Sequence, residues 1–510
     1  MTMAANTYSC DLLVVGGGIN GAGIARDAAG RGLSVVLCEK DDLAAHTSSA
    51  STKLIHGGLR YLEHGEFGLV RKALAEREVL MRAAPHLIAP LQFVMPHDAG
   101  QRPAWLIRAG LFLYDHLARR ELLPGSGAID LARHPAGAPL RPQFSRGFTY
   151  ADAWVDDARL VVVNAIDAAN HGADVLVRTA CVAAERRGDL WQATLRDAHG
   201  TQRTVTARCL VNAAGPWAAQ FVQSVIQARP AGALRLVKGS HIVVRRLFEH
   251  DAAYLFQHPD GRIVFAIPFR RDWTLIGTTD VEYHGDPGAA AISPGEIDYL
   301  CALASRYFRA AVTPADVVWT YAGVRPLLDD EHGRAAEVTR DYRLDFDRGA
   351  MLLSVLGGKL TTYRRLAEEA VDRITAALGH PRAAWTAGAC LPGGDLFCEC
   401  PDNRSVLAFD QALATLRQRY AWLPAPLVER FAHAYGTRIR VLLDGRAALA
   451  DMGEEIVPGL YAAEADYLVR HEWARSADDI LWRRTKLGLG LPPDGRSALA
   501  AWLARHPSLH

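Results

Sequence analysis

The hydrophobic pattern begins with a strand, a glycine turn and a helix. Residues 10–15 form a short apolar run that ends at three glycines, and residues 19–25 are typical of a helix. Residues 33–37 form a second apolar run, which ends before Glu39. This order predicts a βαβ unit and a parallel sheet, because strands joined by a crossover helix run in the same direction.

Further along, the pattern indicates a helix and then a meander. Residues 66–84 predict a helix that stops before Pro85. Three β-rich runs, at 175–182, 190–195 and 205–212, are separated by polar or glycine-containing turns. The last run ends in another glycine turn, so it could return to the N-terminal sheet.

The middle of the chain changes character. Runs at 241–246, 262–269 and 273–278 are rich in β-branched and aromatic residues, which predicts a mostly antiparallel second layer. Residues 351–356 then repeat the order of strand, glycine turn and helix, with the helix over 359–378. The chain is therefore expected to return to its first sheet.

The C-terminal part is predicted to be helical. The β signal fades after residue 394, and the segments 405–418, 425–435, 459–474 and 476–487 have helical patterns. Ser476 and Asp479 have the spacing of a capping box.

Composition excludes several classes of protein. Half of the 510 residues are hydrophobic and 22% are charged, which is typical of a globular chain and not of a disordered one. The net charge of +1 provides no field for binding nucleic acid, so no nucleic-acid partner is predicted. Eight dispersed cysteines and the absence of a secretory signal pattern indicate a reducing cytoplasm.

Two segments allow more than one interpretation. Residues 103–120 place apolar side chains between arginines, which fits either a helix at a membrane surface or a core helix. Cys398 and Cys400 lack a second pair of ligands at metal spacing, so we predict free thiols and no metal site.

The first glycine turn carries the strongest chemical signal. Gly16, Gly18 and Gly21 satisfy G-x-G-x-x-G between a strand and a helix, and Glu39 follows at the position that contacts a ribose. The helix N-terminus can bind a pyrophosphate. A carboxylate at Glu39 disfavours NADP, but this motif does not distinguish NAD from FAD.

A second set of residues could complete a redox site. Gly357 and Gly358 precede Lys359, whose ammonium could face the negative edge of a reduced flavin, although an ordinary packing turn is the alternative. His56 lies in a polar segment, 48–61, and a neutral imidazole there could accept a hydroxyl proton. Arg60, Arg325 and Arg340 could bind a phosphate, but isolated arginines are usually solvated.

Several motifs together resemble the aerobic, FAD-dependent glycerol-3-phosphate dehydrogenases of bacteria, which are membrane-associated enzymes. The resemblance spans nearly the whole chain. It rests on residues 14–23, 51–63, 154–160, 238–242, 276–280, 323–326, 357–363 and 477–486.

The resemblance implies an α/β fold with three regions. These are a Rossmann-type FAD-binding domain of the glycine-oxidase or glutathione-reductase type, an antiparallel β substrate domain and a C-terminal α-helical domain. The oxidoreductase region would cover 8–385, with cofactor parts at about 8–234 and 346–385 and a substrate part at about 235–345. The helical domain would cover 390–510.

The resemblance also implies an activity: oxidation of sn-glycerol 3-phosphate to dihydroxyacetone phosphate by hydride transfer to FAD, with electrons passed to a membrane quinone. It implies a peripheral protein on the inner face of the cell membrane, often a homodimer. Alternatives are an oxidase that uses O₂, a flavin-binding redox sensor without a small substrate, and a protein using diffusible NAD.

The site residues follow by position. We expect His56, Arg60 and Arg325 to be catalytic, with His241 as another candidate base. The substrate residues would be Arg60, Tyr61, His241, Thr278, Arg325, Arg340 and Lys359. The FAD residues would be Gly16, Gly18, Ile19, Asn20, Gly21, Glu39, Lys40, Thr47, Ser48, Ser49, Lys53, Leu54, His56, Gly57, Gly58, Val182, Ala214, Gly215, Trp217, Gly357, Gly358, Lys359, Leu360 and Thr361.

Overall fold

The computed structural model describes residues 7–98, 100–230, 232–257, 262–328, 341–397 and 402–506. The strands among these residues, in chain order, are β1 Thr7–Val15, β2 Val35–Cys38, β3 Leu54–Ile55, β4 Ile88–His97, β5 Gly127–Asp130, β6 Arg146–Val155, β7 Asp174–Leu176, β8 Thr179–Arg187, β9 Leu190–Asp197, β10 Gln202–Asn212, β11 Leu234–Arg245, β12 Ala253–Gln257, β13 Ile263–Phe269, β14 Trp273–Gly277, β15 Val281–Glu282, β16 Val317–Leu328, β17 Tyr342–Asp347, β18 Leu352–Gly357, β19 Glu455–Val457 and β20 Leu460–Tyr461. The α-helices are α1 Ile19–Gly30, α2 Phe67–Ala83, α3 Ala104–His116, α4 Asp157–Asn170, α5 Ala218–Phe221, α6 Pro294–Tyr307, α7 Tyr363–Ala377, α8 Phe409–Arg419, α9 Ala425–Tyr435, α10 Ile439–Leu442, α11 Ala462–Glu472 and α12 Gly495–Arg505.

The first sheet has the order β17-β18-β10-β1-β2-β7, and β8 and β9 extend it from β10. The pairs β18/β10, β10/β1, β1/β2 and β2/β7 are parallel. Strand β1 is apolar on both faces: Leu12 and Val14 pack with the helix side, and Leu13 and Val15 with the meander side. The predicted parallel sheet and the return of both later strands are confirmed.

One predicted strand is two strands. Residues 175–182 break at Val177 and Arg178, so that β7 pairs with β2 while β8 pairs with β9. Arg178 has a positive φ of 50°, which turns the chain. The hydrophobic pattern does not show this break, because the residues on both sides of it are apolar.

The second sheet runs β15-β11-β14-β13-β12-β4-β6-β3, with β16 beside β11 and β5 beside β6. It is antiparallel except at β12/β4. It takes β3 to β6 from within the range 8–234 assigned to the cofactor region, while β17 joins the first sheet. The two sheets therefore do not follow the predicted boundaries of the cofactor and substrate parts. The reason is that hydrogen bonds between β4 and β12 join segments far apart in the chain.

The C-terminal region has its own hydrophobic core, formed by α9 to α12 and their connections. Helix α9 matches the predicted segment 425–435. The segment predicted as a helix over 476–487 contains a π-helical turn, Asp479–Arg484, and the predicted start at 459 is occupied by the short hairpin of β19 and β20. None of the described helices has the length and apolar character needed to cross a membrane.

Candidate functional site

A cavity of about 500 Å³ lies where the two sheets meet. Its wall combines both glycine turns with side chains from the second sheet. The predicted residues that line it are Gly16, Gly18, Ile19, Asn20, Glu39, Lys40, Thr47, Ser48, Leu54, His56, Tyr61, Ala214, Gly215, Trp217, Arg325, Gly357, Gly358, Lys359, Leu360 and Thr361.

The two glycine turns converge, although they are more than 330 residues apart. The Nδ2 of Asn20 donates to the carbonyl oxygen of Gly357 at 3.4 Å. A Cβ on Gly358 would lie 3.2 Å from that same amide group, and φ of Gly358 is +102°. The positive φ favours glycine at position 358, and the missing side chain leaves room for Asn20 at the start of α1.

The first turn fits a dinucleotide. A Cβ on Gly21 would lie 1.9 Å from the carbonyl oxygen of Gly16, so only glycine allows this tight turn. The first turn of α1 presents N–H groups without intrahelical acceptors to the cavity. The Oδ1 of Asn20 is buried without a hydrogen-bond partner among the described residues. This end of the cavity can hold the pyrophosphate and ribose of FAD.

Glu39 is held in place by the backbone. Its carboxylate accepts hydrogen bonds from the N–H of Gly17 at 2.6 Å and of Asp41 at 2.8 Å. Burial raises the pKa of Glu39, while these two donors act in the opposite direction. Each carboxylate oxygen keeps a lone pair for a ribose hydroxyl, as the motif predicts.

His56 is the half-buried imidazole of the cavity. Its backbone is tied to Thr361, whose Oγ1 accepts from the N–H of His56 at 3.2 Å. Burial, and then the charges of Lys359 and Arg77, lower the pKa of His56 to about 3. The ring is therefore neutral at physiological pH and can accept a proton.

Arg325, on β16, is oriented by side chains from the connection between β14 and β15. It donates to Asp280 Oδ1 at 2.5 Å and to Thr278 Oγ1 at 3.0 Å. A Cβ on Gly239 would lie 2.2 Å from Arg325 Nη2, so this glycine leaves room for the guanidinium. The role of Asp280 was not predicted, because the sequence shows that an acid is present but not which residue it pairs with.

Lys359 and Tyr61 form a pair in the wall. The Nζ of Lys359 lies 3.7 Å from the centre of the Tyr61 ring. A Cβ on Gly58 would lie 2.0 Å from that ring, so Gly58, with φ of +82°, supports Tyr61 from behind. Arg60 is half-buried beside Tyr61 and does not line the cavity.

Other predicted residues lie behind the wall. Lys53 is sealed: its ammonium donates to both carboxylate oxygens of Asp157, at 2.8 and 2.9 Å, and to the Ser49 carbonyl. His241 is fully buried against Tyr321 and reaches Thr52 Oγ1 at 3.0 Å. The wall also excludes Gly21, Ser49, Gly57, Gly58, Val182 and Thr278. The structure leaves these residues outside the cavity wall, and their contacts with a ligand stay predictions.

Some lining residues were not predicted. Thr179, Ala180 and Cys181 line the cavity where Val182 was expected, because the chain turns at Arg178 before entering β8. Gln220, Phe221, Ser224 and Val225 also line it. Their spacing from Trp217, of three, four, seven and eight residues, is a helical signal that could have identified them. Arg340, Cys398 and Cys400 lie outside the described residues.

This fold and cavity define a flavoprotein oxidoreductase of the two-sheet type. A family model described as FAD dependent oxidoreductase matches residues 11–389. A second model, described as the C-terminal domain of alpha-glycerophosphate oxidase, matches residues 384–504. The chain belongs to the FAD-dependent oxidoreductase family, and FAD is its cofactor.

Relatives match nearly the whole chain. It is 54% identical to glycerol-3-phosphate dehydrogenase of Pseudomonas aeruginosa, over 98% of this chain and 96% of that protein. It is 48% identical to D-erythritol 1-phosphate dehydrogenase of Brucella abortus, over 98% of each chain.

Solved structures agree on the fold. The FAD complex of glycerol-3-phosphate dehydrogenase from Bacillus halodurans superposes with a TM-score of 0.78 at 28% identity, covering 98% of this chain and 91% of that one. Glycine oxidase from Geobacillus kaustophilus has a TM-score of 0.54 at 18% identity, covering 74% of this chain and 97% of its own. The predicted fold class is confirmed.

Proposed function

We propose that this protein oxidises sn-glycerol 3-phosphate to dihydroxyacetone phosphate. FAD, held by the residues around the two glycine turns, would supply the hydride acceptor for oxidation at C2 of the substrate. The observation that carries the proposal is one continuous wall that joins a dinucleotide turn at Gly16 to a cationic end with Arg325 and Lys359. The names of the relatives support the same activity.

The cationic end suits a phosphate dianion. Arg325 can make charge-assisted hydrogen bonds to phosphate oxygens. Its contacts with Thr278 and Asp280 already fix the side chain, so it loses little conformational freedom when the phosphate binds. Lys359 adds a second charge, and Arg60 adjoins the wall beside Tyr61. The guanidinium of Arg60 forms no ion pair or hydrogen bond with any residue that the structure describes. Anchoring the phosphate holds C2 against the cofactor.

His56 is the proposed proton acceptor for the C2 hydroxyl. Its neutral ring is the form that accepts a proton, but burial, and then the charges of Lys359 and Arg77, oppose the resulting positive charge. The phosphate of the substrate offsets these cations once it enters the cavity. The substrate therefore raises the basicity of the group that acts on it.

A quinone is the proposed electron acceptor. A second cavity of about 320 Å³ is lined by the rings of Trp319, Tyr321 and Trp482. Trp319 and Trp482 stack with centroids 4.5 Å apart. The segment that contains Thr47 and Ala50 lines both cavities, so this segment would separate a quinone in the second cavity from the first. Reduction of the quinone to the quinol consumes the two electrons and two protons taken from the substrate.

Helix α3 is the proposed membrane contact. It buries Ile107, Leu111 and Tyr114, while Trp105 and Phe112 on the opposite side are 72% and 65% exposed. A helix with a second apolar face towards solvent is typical of an interfacial segment, and the exposed Arg108 suits anionic headgroups. We place this surface on the inner face of the cell membrane, and a homodimer stays a prediction.

One spectrum tests cofactor and substrate together. The purified holoprotein should lose its flavin absorbance near 450 nm when sn-glycerol 3-phosphate is added without oxygen. D-erythritol 1-phosphate, tested in parallel, should reduce the flavin at least about tenfold more slowly, because one extra hydroxymethyl group must fit the pocket. A flavin that stays oxidised with both compounds would contradict the proposal.

The acceptor can be tested separately. Reduced enzyme should be reoxidised by a soluble naphthoquinone much faster than by O₂. Trp482→Leu should slow that reoxidation without changing the rate of flavin reduction by substrate. Equal rates of reoxidation by the quinone in wild type and Trp482→Leu would remove the second cavity from the proposal. Reoxidation by O₂ faster than by the quinone would indicate an oxidase.

The membrane contact is tested by sedimentation with vesicles of phosphatidylglycerol and phosphatidylethanolamine. Replacing both Trp105 and Phe112 by Gln should reduce binding strongly, since these rings supply the exposed apolar area. Leu407→Gln serves as a control, because Leu407 is 54% exposed but lies in the C-terminal region. Equal loss in both variants would exclude α3 as the docking surface.

A further inference from the structure

A π-helical turn of the C-terminal domain, Asp479–Arg484, contacts the cofactor region. Arg484, which is 1% exposed, donates from both η nitrogens to Asp42, with both distances 2.8 Å. Arg483 donates to the same carboxylate from Nε at 2.5 Å. Asp42 is 2% exposed, so two guanidinium groups from a distant domain meet at one buried carboxylate.

Asp42 begins the segment that lines the cofactor end of the cavity. Residues 44–48 all belong to the cavity wall. The N–H of Ala44 donates to the carbonyl oxygen of Gly17 at 3.2 Å. A Cβ on Gly17 would lie 2.9 Å from Leu43, so this segment packs directly on the first glycine turn. Asp42 is therefore linked through this packing to the turn that would hold the pyrophosphate.

The same π-helical turn holds a second cofactor segment. Asp479, which is 0% exposed, accepts from Arg178 Nη2 at 2.8 Å. Arg178 immediately precedes Thr179, Ala180 and Cys181, which line the cavity at the start of β8. Arg483 bridges the two contacts, because it donates to Asp479 as well as to Asp42.

We propose that this turn is a cofactor clamp: Arg484, Arg483 and Asp479 are positioning residues that hold the segments 42–48 and 178–181 at the spacing that FAD requires. The C-terminal domain thereby controls how tightly FAD is retained. None of the three residues lines the FAD cavity, so the effect passes through the segments they hold. The proposal depends on FAD as the cofactor and not on which substrate is oxidised.

The test measures the dissociation constant of FAD by titrating the apoprotein and following the quenching of flavin fluorescence. Arg484→Met keeps the length of the side chain and removes its charge, which leaves Asp42 without its bidentate partner. We expect FAD to bind about 10- to 100-fold more weakly, and Arg484→Lys to recover part of the loss. Arg178→Gln, at the other contact and with a side chain 29% exposed, should weaken binding about 3- to 10-fold and is the milder variant for folding.

Arg430→Met is the matched control. Arg430 forms a bidentate pair with the buried Glu464 at 2.6 Å, inside the C-terminal core and away from the cofactor segments. Arg430→Met should lower the melting temperature of the apoprotein about as much as Arg484→Met does. It should change the FAD dissociation constant less than about twofold. Equal changes of that constant in the Arg484 and Arg430 variants, or unchanged binding in both Arg484→Met and Arg178→Gln, would overturn the clamp.

Discussion

The two ends of the main cavity are built from different materials. The cofactor end is mostly backbone: glycines at 16, 18, 357 and 358 and the first turn of α1. The substrate end is made of side chains, namely His56, Tyr61, Arg325 and Lys359, which come from three separate segments. A shape made by backbone is a local property of the chain, whereas a charge pattern depends on which distant partners fold against it.

The difference is visible in how each end tolerates its neighbours. At the cofactor end the constraint is steric, because Cβ atoms on Gly16, Gly21 and Gly357 would lie 2.4, 1.9 and 2.9 Å from main-chain oxygens. At the substrate end the constraint is electrostatic, because Arg325 is oriented by Asp280, and burial, followed by the charge of Lys359, opposes the protonation of His56. The first end should therefore fail completely when altered, and the second by degrees.

Gly21→Ala should give the largest effect. Its Cβ would lie 1.9 Å from the Gly16 carbonyl oxygen, so the turn must open and FAD should no longer copurify. The ratio of flavin to protein absorbance measures this. Gly295→Ala is the control, because a Cβ there meets nothing within 4 Å. A Gly21→Ala protein with full flavin content would show that the cofactor end is not limited by backbone shape.

His56→Gln should lower the rate of flavin reduction about 10²- to 10⁴-fold at saturating substrate, because a general base is lost. Stopped-flow absorbance at 450 nm measures the rate. His86→Gln is a matched control, since His86 is also buried with its pKa lowered to about 3, but does not line the cavity. If both variants reduce flavin at the wild-type rate, another group accepts the proton.

Arg325→Ala should raise KM for the phosphorylated substrate about 100-fold, corresponding to about 2.7 kcal/mol, with a smaller change in kcat. Loss of a charged partner for a desolvated anion is of that size. Arg325→Lys should lie between wild type and Ala because it keeps the charge but loses the fork. Arg309→Ala, at an exposed arginine bonded to the Leu140 carbonyl, should change nothing. Unaltered kinetics in Arg325→Ala would remove it from the site.

The smallest effect concerns pH. His241 is fully buried, and burial, followed by the charges of Arg325 and Lys53, lowers its pKa well below 6.5. The unfolded chain binds a proton at this residue below about pH 6.5 and the folded one does not, so stability is full above that pH and falls as the medium is acidified. The free energy of unfolding should drop by about 1.4 kcal/mol per pH unit between 6 and 5 from this group. Urea titrations at each pH give the free energy of unfolding. Its dependence on pH should be weaker by that amount in His241→Gln. An unchanged pH dependence would mean that His241 is protonated in the folded protein.

Much of the cofactor end could be predicted from sequence. Glycine spacing, an apolar run before it and Glu39 after it are local signals, and the structure joins them as expected. Lys53 shows where such reasoning stops. It lies in the same polar segment as His56, yet its ammonium is enclosed by Asp157, more than 100 residues away, because a buried cation must be paired.

The sequence by itself determined the two glycine turns, the parallel order of the first sheet and the presence of enough basic side chains for an anion. Tertiary structure alone decided which of those cations face the cavity, which acid holds Arg325, and that a turn near residue 480 supports the loop at residue 42. The physical reason is range: steric rules act between neighbours along the chain, whereas burial and charge pairing depend on contacts that exist only after the sheets and the C-terminal domain have packed together.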